Sequence, residues 1–228
     1  MSAKLTAGAP HFELHVVSSA ATLLEGDALE VELDVRPGAS LTVRSVAAQL
    51  AHPCVRGGAT ELRVRASVAA GGRLAWLPEP TIVAGGGNHR SHATVLLAQG
   101  ALALWNEELV FGRTGEDPAS AHVEARLSID LAGAPLVRDG LSTRRPGARG
   151  PAVLGDARYV ASAFLCGRRL EHAAGCEPPG APLFDLAGEG TATRTIAADP
   201  LNGRAAHGAV LGALAAALAG DRLAPRMV

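Results

Sequence analysis

A chain of 228 residues with 48% hydrophobic and 19% charged side chains is too apolar for intrinsic disorder, and it is long enough to bury a core without staples. Its 21 basic and 22 acidic residues leave a formal charge of −1, and aromatics make up 3%. Neither the cationic surface nor the stacking platforms of a nucleic-acid binder are expected. The opening residues, Met1-Ser-Ala-Lys-Leu-Thr-Ala-Gly8, lack the apolar stretch of a secretory signal. The longest apolar run, 209–219, falls short of the ~20 residues that cross a bilayer. Cys54, Cys166 and Cys176 are odd in number and unrelated in spacing, which argues against a disulfide framework. These readings predict one domain over residues 1–228 in the cytoplasm, with no nucleic acid and no membrane as partner.

In chain order, the first clear element is a strand over 29–35. Leu29, Val31, Leu33 and Val35 alternate with Glu30, Glu32 and Asp34, the period of a half-buried strand. Arg36-Pro37-Gly38-Ala39 turns the chain, and Leu41 and Val43 resume the alternation. Leu62 and Val64 repeat it, and so do Val123, Leu127 and Ile129. Gly57-Gly58, Gly71-Gly72, Gly85-Gly86-Gly87, Gly133 and Pro146-Gly147 punctuate these runs as turns, so the chain reads as all-β dominated. Pro78-Glu79-Pro80 predicts a strand edge or a break. Residues 142–150 read as an exposed loop. Near the end, Val210, Leu211, Leu214 and Leu218 recur at helical spacing, with Gly220 placed to close the helix.

Catalytic signatures are sparse. There is no Gly-x-Ser-x-Gly elbow, and Gly85-Gly86-Gly87 lacks the Gly-Lys-Ser/Thr ending of a phosphate loop, so it reads as a hairpin loop. His89 and His92 are three apart in a strand and point oppositely, and His52 and Cys54 supply only two ligands, so all four read as ordinary loop or strand residues. The richest stretch is 100–116. Glu107 and Glu108 are strand neighbours, so one should face inward and the other solvent. The inward one requires a partner, for which Arg113 is the nearest candidate; a buried Glu–Arg pair at a strand end is the simplest account.

Taken in order, these segments resemble the urease accessory protein D family. The resemblance runs through Gly26-Asp27, Pro37-Gly38-Ala39-Ser-Leu-Thr-Val43, Leu77-Pro78-Glu79-Pro80 and Leu96-Leu-Ala-Gln-Gly100-Ala. It is most specific at Trp105-Asn-Glu-Glu-Leu-Val-Phe-Gly112-Arg113-Thr-Gly115-Glu116, where Gly112, Arg113 and Gly115 carry the structural signature. Gly150-Pro-Ala-Val-Leu-Gly155 and Pro225-Arg226 also fit. The chain departs from the family at Ser18-Ser-Ala-Ala-Thr-Leu-Leu-Glu-Gly26, where a glycine-rich lead is usual, and at Arg44-Ser45, where a Thr-Thr pair is frequent.

The resemblance implies a helically wound stack of β-sheets with one or two short helices, and no chemistry of its own. It implies a scaffold or metallochaperone for nickel insertion into apo-urease, in complex with accessory protein F and the accessory GTPase G. No cofactor is then held tightly; nickel(II) is in transit. Asp27, Glu79, Glu107 and Glu116 are the acidic positions within the family-like segments and the candidates for a nickel path, since a cation requires oxygen ligands at intervals. The carboxy-terminal segment 205–228 is a candidate for part of the contact with protein F. The alternative from another class is a free-standing β-rich binding domain for a small ligand or sugar, with a hydrolase third.

Overall fold

The structure is a computed structural model that describes residues 2–5, 11–17, 23–171 and 180–220. Strands β1 (Ser2–Leu5) and β2 (His11–Val17) lie in the larger of two sheets, and β3 (Ala28–Val35) lies in the smaller. The chain then winds. From β3 it turns at Gly38, whose φ of +70° suits a residue without Cβ, and crosses to the larger sheet as β4 (Ser40–Ser45) and β5 (Gln49–Ala51). It returns to the smaller sheet as β6 (Thr60–Val68) and crosses again as β7 (Arg73–Leu77) and β8 (Thr81–Val83). A third turn of the coil follows as β9 (Asn88–Leu97) and β10 (Leu102–Phe111), before β11 (His122–Leu131). Equivalent strands are parallel neighbours: β3, β6, β9 and β11 in one sheet, and β4, β7 and β10 in the other. The helically wound stack is therefore observed.

Antiparallel strands end the coil. Strand β12 (Ala134–Ser142) pairs with β11, while β13 (Tyr159–Cys166), β14 (Leu183–Asp185) and β15 (Gly190–Ala197) extend the larger sheet beyond β10. Helix α1 (Pro200–Ala219) packs on the outer face of that sheet through Val210, Leu214, Ala217 and Leu218. Its start is local chemistry: the Asp199 carboxylate accepts from the Leu201 N–H, and Pro200 occupies the first turn. Gly220, at φ +90°, closes it as predicted.

The alternation in sequence becomes columns in space. Val31, Val64, Ala93 and Leu127 stand side by side across the smaller sheet, and so do Leu33, Ala66, Val95 and Ile129. They face Val43, Trp76, Trp105 and Phe164 of the larger sheet, where the two indoles stack at 5.1 Å between ring centroids. The outer face of the smaller sheet is charged, with Glu30 beside Arg63 and Glu32 beside Arg65. Gly85-Gly86-Gly87 is a corner rather than a hairpin loop, because the strands it joins, β8 and β9, lie in different sheets. The loop at 142–150 is not exposed throughout: Ala148 is buried, and Arg149 lies 4.7 Å over the Phe111 ring.

One irregularity positions everything below. In the larger sheet two successive turns of the coil break at the same level, between β4 and β5 and between β7 and β8. Pro78 and Pro80 have no N–H for a ladder, so the second break follows directly from the sequence. The breaks are tied together: the Glu79 N–H donates to Ser45 Oγ at 2.8 Å, and the Gln49 N–H to the Pro80 carbonyl at 2.9 Å. Strand β10 runs on unbroken, with Trp105 paired to Trp76 and Leu109 to Thr81. Asn106, Glu107 and Glu108 thus border a gap in the sheet.

Candidate functional site

Behind this gap, between the sheets, lies a cavity of about 220 Å³. Val31, Val43, Val64 and the Trp76–Trp105 pair supply apolar walls; Glu79, His89, Ser91 and Glu107 supply polar ones. Ser91 interrupts an otherwise apolar column of the smaller sheet, and His89 stands between Thr60 and Val123. Ser91 stands between Leu62 and Ala125, and its hydroxyl donates to Glu107 Oε1 across the interior. His89 Nδ1 lies 2.8 Å from Thr60 Oγ1, and burial holds its pKa down at about 4. Burial also raises the Glu107 carboxyl above the ordinary carboxylate range; the Ser91 bond opposes this, Asp139 adds to it, and Arg194 opposes it.

A second polar cluster occupies the other face of β10, under α1. Asn106, Glu108, Tyr159, Thr195 and His207 are all buried there. The Tyr159 hydroxyl donates to Glu108 Oε2 at 2.8 Å, and Asn106 Nδ2 donates to Glu108 Oε1 at 3.1 Å. That leaves Asn106 Oδ1 as acceptor for His207 Nε2 at 2.8 Å, so the proton sits on Nε2 and Nδ1 faces the Thr195 hydroxyl at 3.3 Å. Burial keeps His207 neutral, with a pKa of about 4. Arg204 reaches over the edge to Glu79 at 2.5 Å, with Glu108 3.6 Å from its Nε. This network fastens the helix to the sheet.

The four predicted acidic residues are not brought together. Asp27 is exposed and accepts the Leu24 N–H at 2.8 Å, closing a turn. Glu116 accepts from Arg113 Nε and from the Arg113 and Gly85 N–H groups, each at 2.8 Å. The Arg113 guanidinium, aided by those backbone donors, holds its pKa near 2. Gly112 and Gly115 supply positive φ to the same loop, and the Gly112 N–H donates to Val83 at 2.7 Å. The Gly112-Arg113-Thr-Gly115-Glu116 signature is therefore a clasp on the corner between β8 and β9. Glu79 and Glu107 do border one cavity, at its rim and in its interior. Glu107 and Glu108 depart from the reading that one meets solvent. Glu108 is buried under α1 and Glu107 is half-buried toward the cavity between the sheets, and Arg113 partners neither, being spent on Glu116.

Among the described residues no group of three or more His, Cys, Asp or Glu side chains is placed to hold a metal. Cys166 is buried and its thiol pushed up to about 12, unsuited to nucleophilic work at neutral pH. Cys176 and the 221–228 part of the carboxy-terminal segment, including Pro225-Arg226, lie outside the described residues. No helix among the described residues is long and apolar enough to cross a membrane.

Fold and site together define a coiled two-sheet protein whose interior opens through a gap in one sheet onto spaced carboxylates. The UreD urease accessory protein family model matches residues 3–228, and the chain belongs to that family. It is similar to the urease accessory protein UreD of a Parafrankia species, at 34% identity over 90% of this chain and 77% of that protein. UreD of Frankia alni is 40% identical over 68% of this chain and 58% of its own length. UreD of Streptomyces avermitilis is 37% identical over 90% and 74%.

Proposed function

We propose that this chain acts in urease maturation as a non-catalytic scaffold that passes nickel(II) through its interior to apo-urease, in complex with accessory proteins F and G in the cytoplasm. The relatives' names support the process, and the observation that carries the mechanism is the gap: Glu79 at its rim and Glu107 behind it face one cavity. Nickel(II) accepts carboxylate and imidazole ligands. A conduit must bind well enough to admit an ion and loosely enough to release it. A micromolar site releases in about a tenth of a second for association near 10⁷ M⁻¹s⁻¹, whereas a nanomolar site holds for minutes. Single carboxylates spaced along a wall meet that demand better than a tight cluster. Asp27 and Glu116 bond within turns and do not border the cavity, whereas Glu79 and Glu107 do, so the path is assigned to those two. The rim lies beside α1 through the Glu79–Arg204 pair, which fits protein F docking on the carboxy-terminal segment.

The test is Glu107→Gln, which keeps shape and removes charge. Nickel content of urease matured with the variant should fall while the variant still co-purifies with proteins F and G. Normal nickel content would overturn the interior path, and loss of the complex would make Glu107 architectural.

A further inference from the structure

The polar seam that begins at the gap has a second end. Glu107, Ser162 and Arg194 stand side by side across β10, β13 and β15, and Leu127 and Asp139 across β11 and β12 of the other sheet. Arg194 bridges the sheets: its Nε donates to Ser162 Oγ at 3.0 Å and its Nη2 to Asp139 Oδ2 at 2.5 Å. Glu107 borders both the large cavity and a void of about 10 Å³, which Ser162, Asp139 and Arg194 also border. Such a void is about the size of one water. The Arg194 and Asp139 side chains are 35% and 28% exposed, so this pair sits where the seam meets solvent. The gap end carries the same device, a guanidinium, Arg204, on a carboxylate, Glu79. Each end of the seam is thus closed by an arginine whose removal would leave a bare carboxylate.

We propose that the Arg194–Asp139 pair is a charge-exchange latch on the far end of the nickel path. The inference rests on the reading that nickel(II) crosses the interior. A dication at Glu107 repels the guanidinium two places along the row, past Ser162, and is attracted by the Asp139 carboxylate beyond it. A half-exposed ion pair is worth little net stability, so a doubly charged competitor displaces it readily. Arg194 swings toward solvent on its flexible stem, the ion passes from Glu107 to Asp139, and the pair re-forms once the ion has left.

The latch predicts effects of opposite sign from its two halves. Nickel content of urease is followed in time during maturation by the complex with proteins F and G, with nickel(II) as the only added metal. Arg194→Gln leaves both carboxylates and removes the latch, so loading should quicken by up to about fivefold. Asp139→Asn removes the exit ligand and should slow it by a similar factor. Ser162→Ala frees the Arg194 Nε without touching charge, so it should quicken loading less than Arg194→Gln; it keeps the sign readable if Arg194→Gln proves unstable. Loading slowed by both Arg194→Gln and Asp139→Asn, or unchanged by either, overturns the latch. A normal rate with Glu107→Gln instead overturns the interior path, whatever the latch variants do.

Discussion

Lowering the pH from 7.5 to 5 should destabilise this protein through two histidines on opposite sides of the larger sheet. His89 and His207 are both fully buried and both held neutral, with pKa values of about 4 against an ordinary 6.5. Because the folded value lies below the unfolded one, the unfolded chain takes up protons first as the pH falls. The stability each supplies is complete above about pH 6.5 and is lost as the pH drops toward 4. Between pH 7.5 and 5 the loss is roughly 2 kcal/mol per histidine, and the two should add because they share no partners. Against a total of about 5–15 kcal/mol, that is a large fraction. The group facing His89 is the Thr60 hydroxyl; those around His207 are Asn106 and Thr195, with Glu108, Tyr159 and Arg204 one bond further on. Glu107 works in the opposite direction, since its raised pKa makes the folded state bind a proton sooner and adds stability as the pH falls. The single variants His89→Gln and His207→Gln therefore isolate the effect. Urea midpoints at the two pH values should differ by about 1 M less in each variant than in the parent, for a slope near 2 kcal/mol/M. His207→Gln should also be less stable at pH 7.5, where it disturbs the bond to Asn106. A variant that loses as much stability on acidification as the parent would refute the argument for that histidine.

Two further outcomes follow from the helix. A Cβ on Gly203 would meet the Tyr159 ring at 2.6 Å and Ala197 Cβ at 2.8 Å, so Gly203→Ala should cost about 1–3 kcal/mol in urea denaturation despite the gain in helix propensity; Gly212→Ala, in open space on the same helix, should add up to about 1 kcal/mol. Removing residues 221–228 should weaken capture of protein F while leaving the circular-dichroism spectrum of the sheets intact, and unchanged capture would remove that segment from the interface.

What the sequence made legible follows from which faces are wet. Strand β3 alternates because Glu30, Glu32 and Asp34 meet solvent while Leu33 and Val35 do not, and the period of two survives in the residue types. Strand β10 carries no such signal, since the smaller sheet covers one face and α1 the other; Leu104, Trp105, Asn106 and Glu108 are buried alike. The same double cover hides β13, all of whose residues are buried. The helix start was visible in Asp199-Pro200, a cap followed by a proline, but attention to apolar spacing alone places the helix some ten residues too late. The sheet break was visible too, in two prolines. The seam behind it was not, because Asp139 and Arg194 are 55 residues apart and meet only through the register of five strands in two sheets. The glycine-arginine signature was legible as a motif and misleading as a site: its conspicuous carboxylate, Glu116, is saturated by its own loop.

Stability alone does not account for the interior row. Columns of Val, Leu and Ala show that this coil can fill the space between its sheets with hydrocarbon, and at Leu33, Ala66, Val95 and Ile129 it does so. Further along, the facing sheet inserts Glu107, which among the described residues has one serine hydroxyl as its direct partner and no arginine in contact. A half-buried carboxyl group with so few bonds costs stability relative to an apolar residue of the same volume. Arg194, whose charge acts on Glu107, could cancel much of that cost by pairing with it; instead it bonds to Asp139. The cluster under α1 shows the contrast, because there Asn106, Glu108, Tyr159 and His207 bond to one another and the helix is fastened by the result. A seam left under-satisfied beside a cavity, between two arginine-closed ends, is the arrangement expected where a cation must be accepted briefly rather than kept.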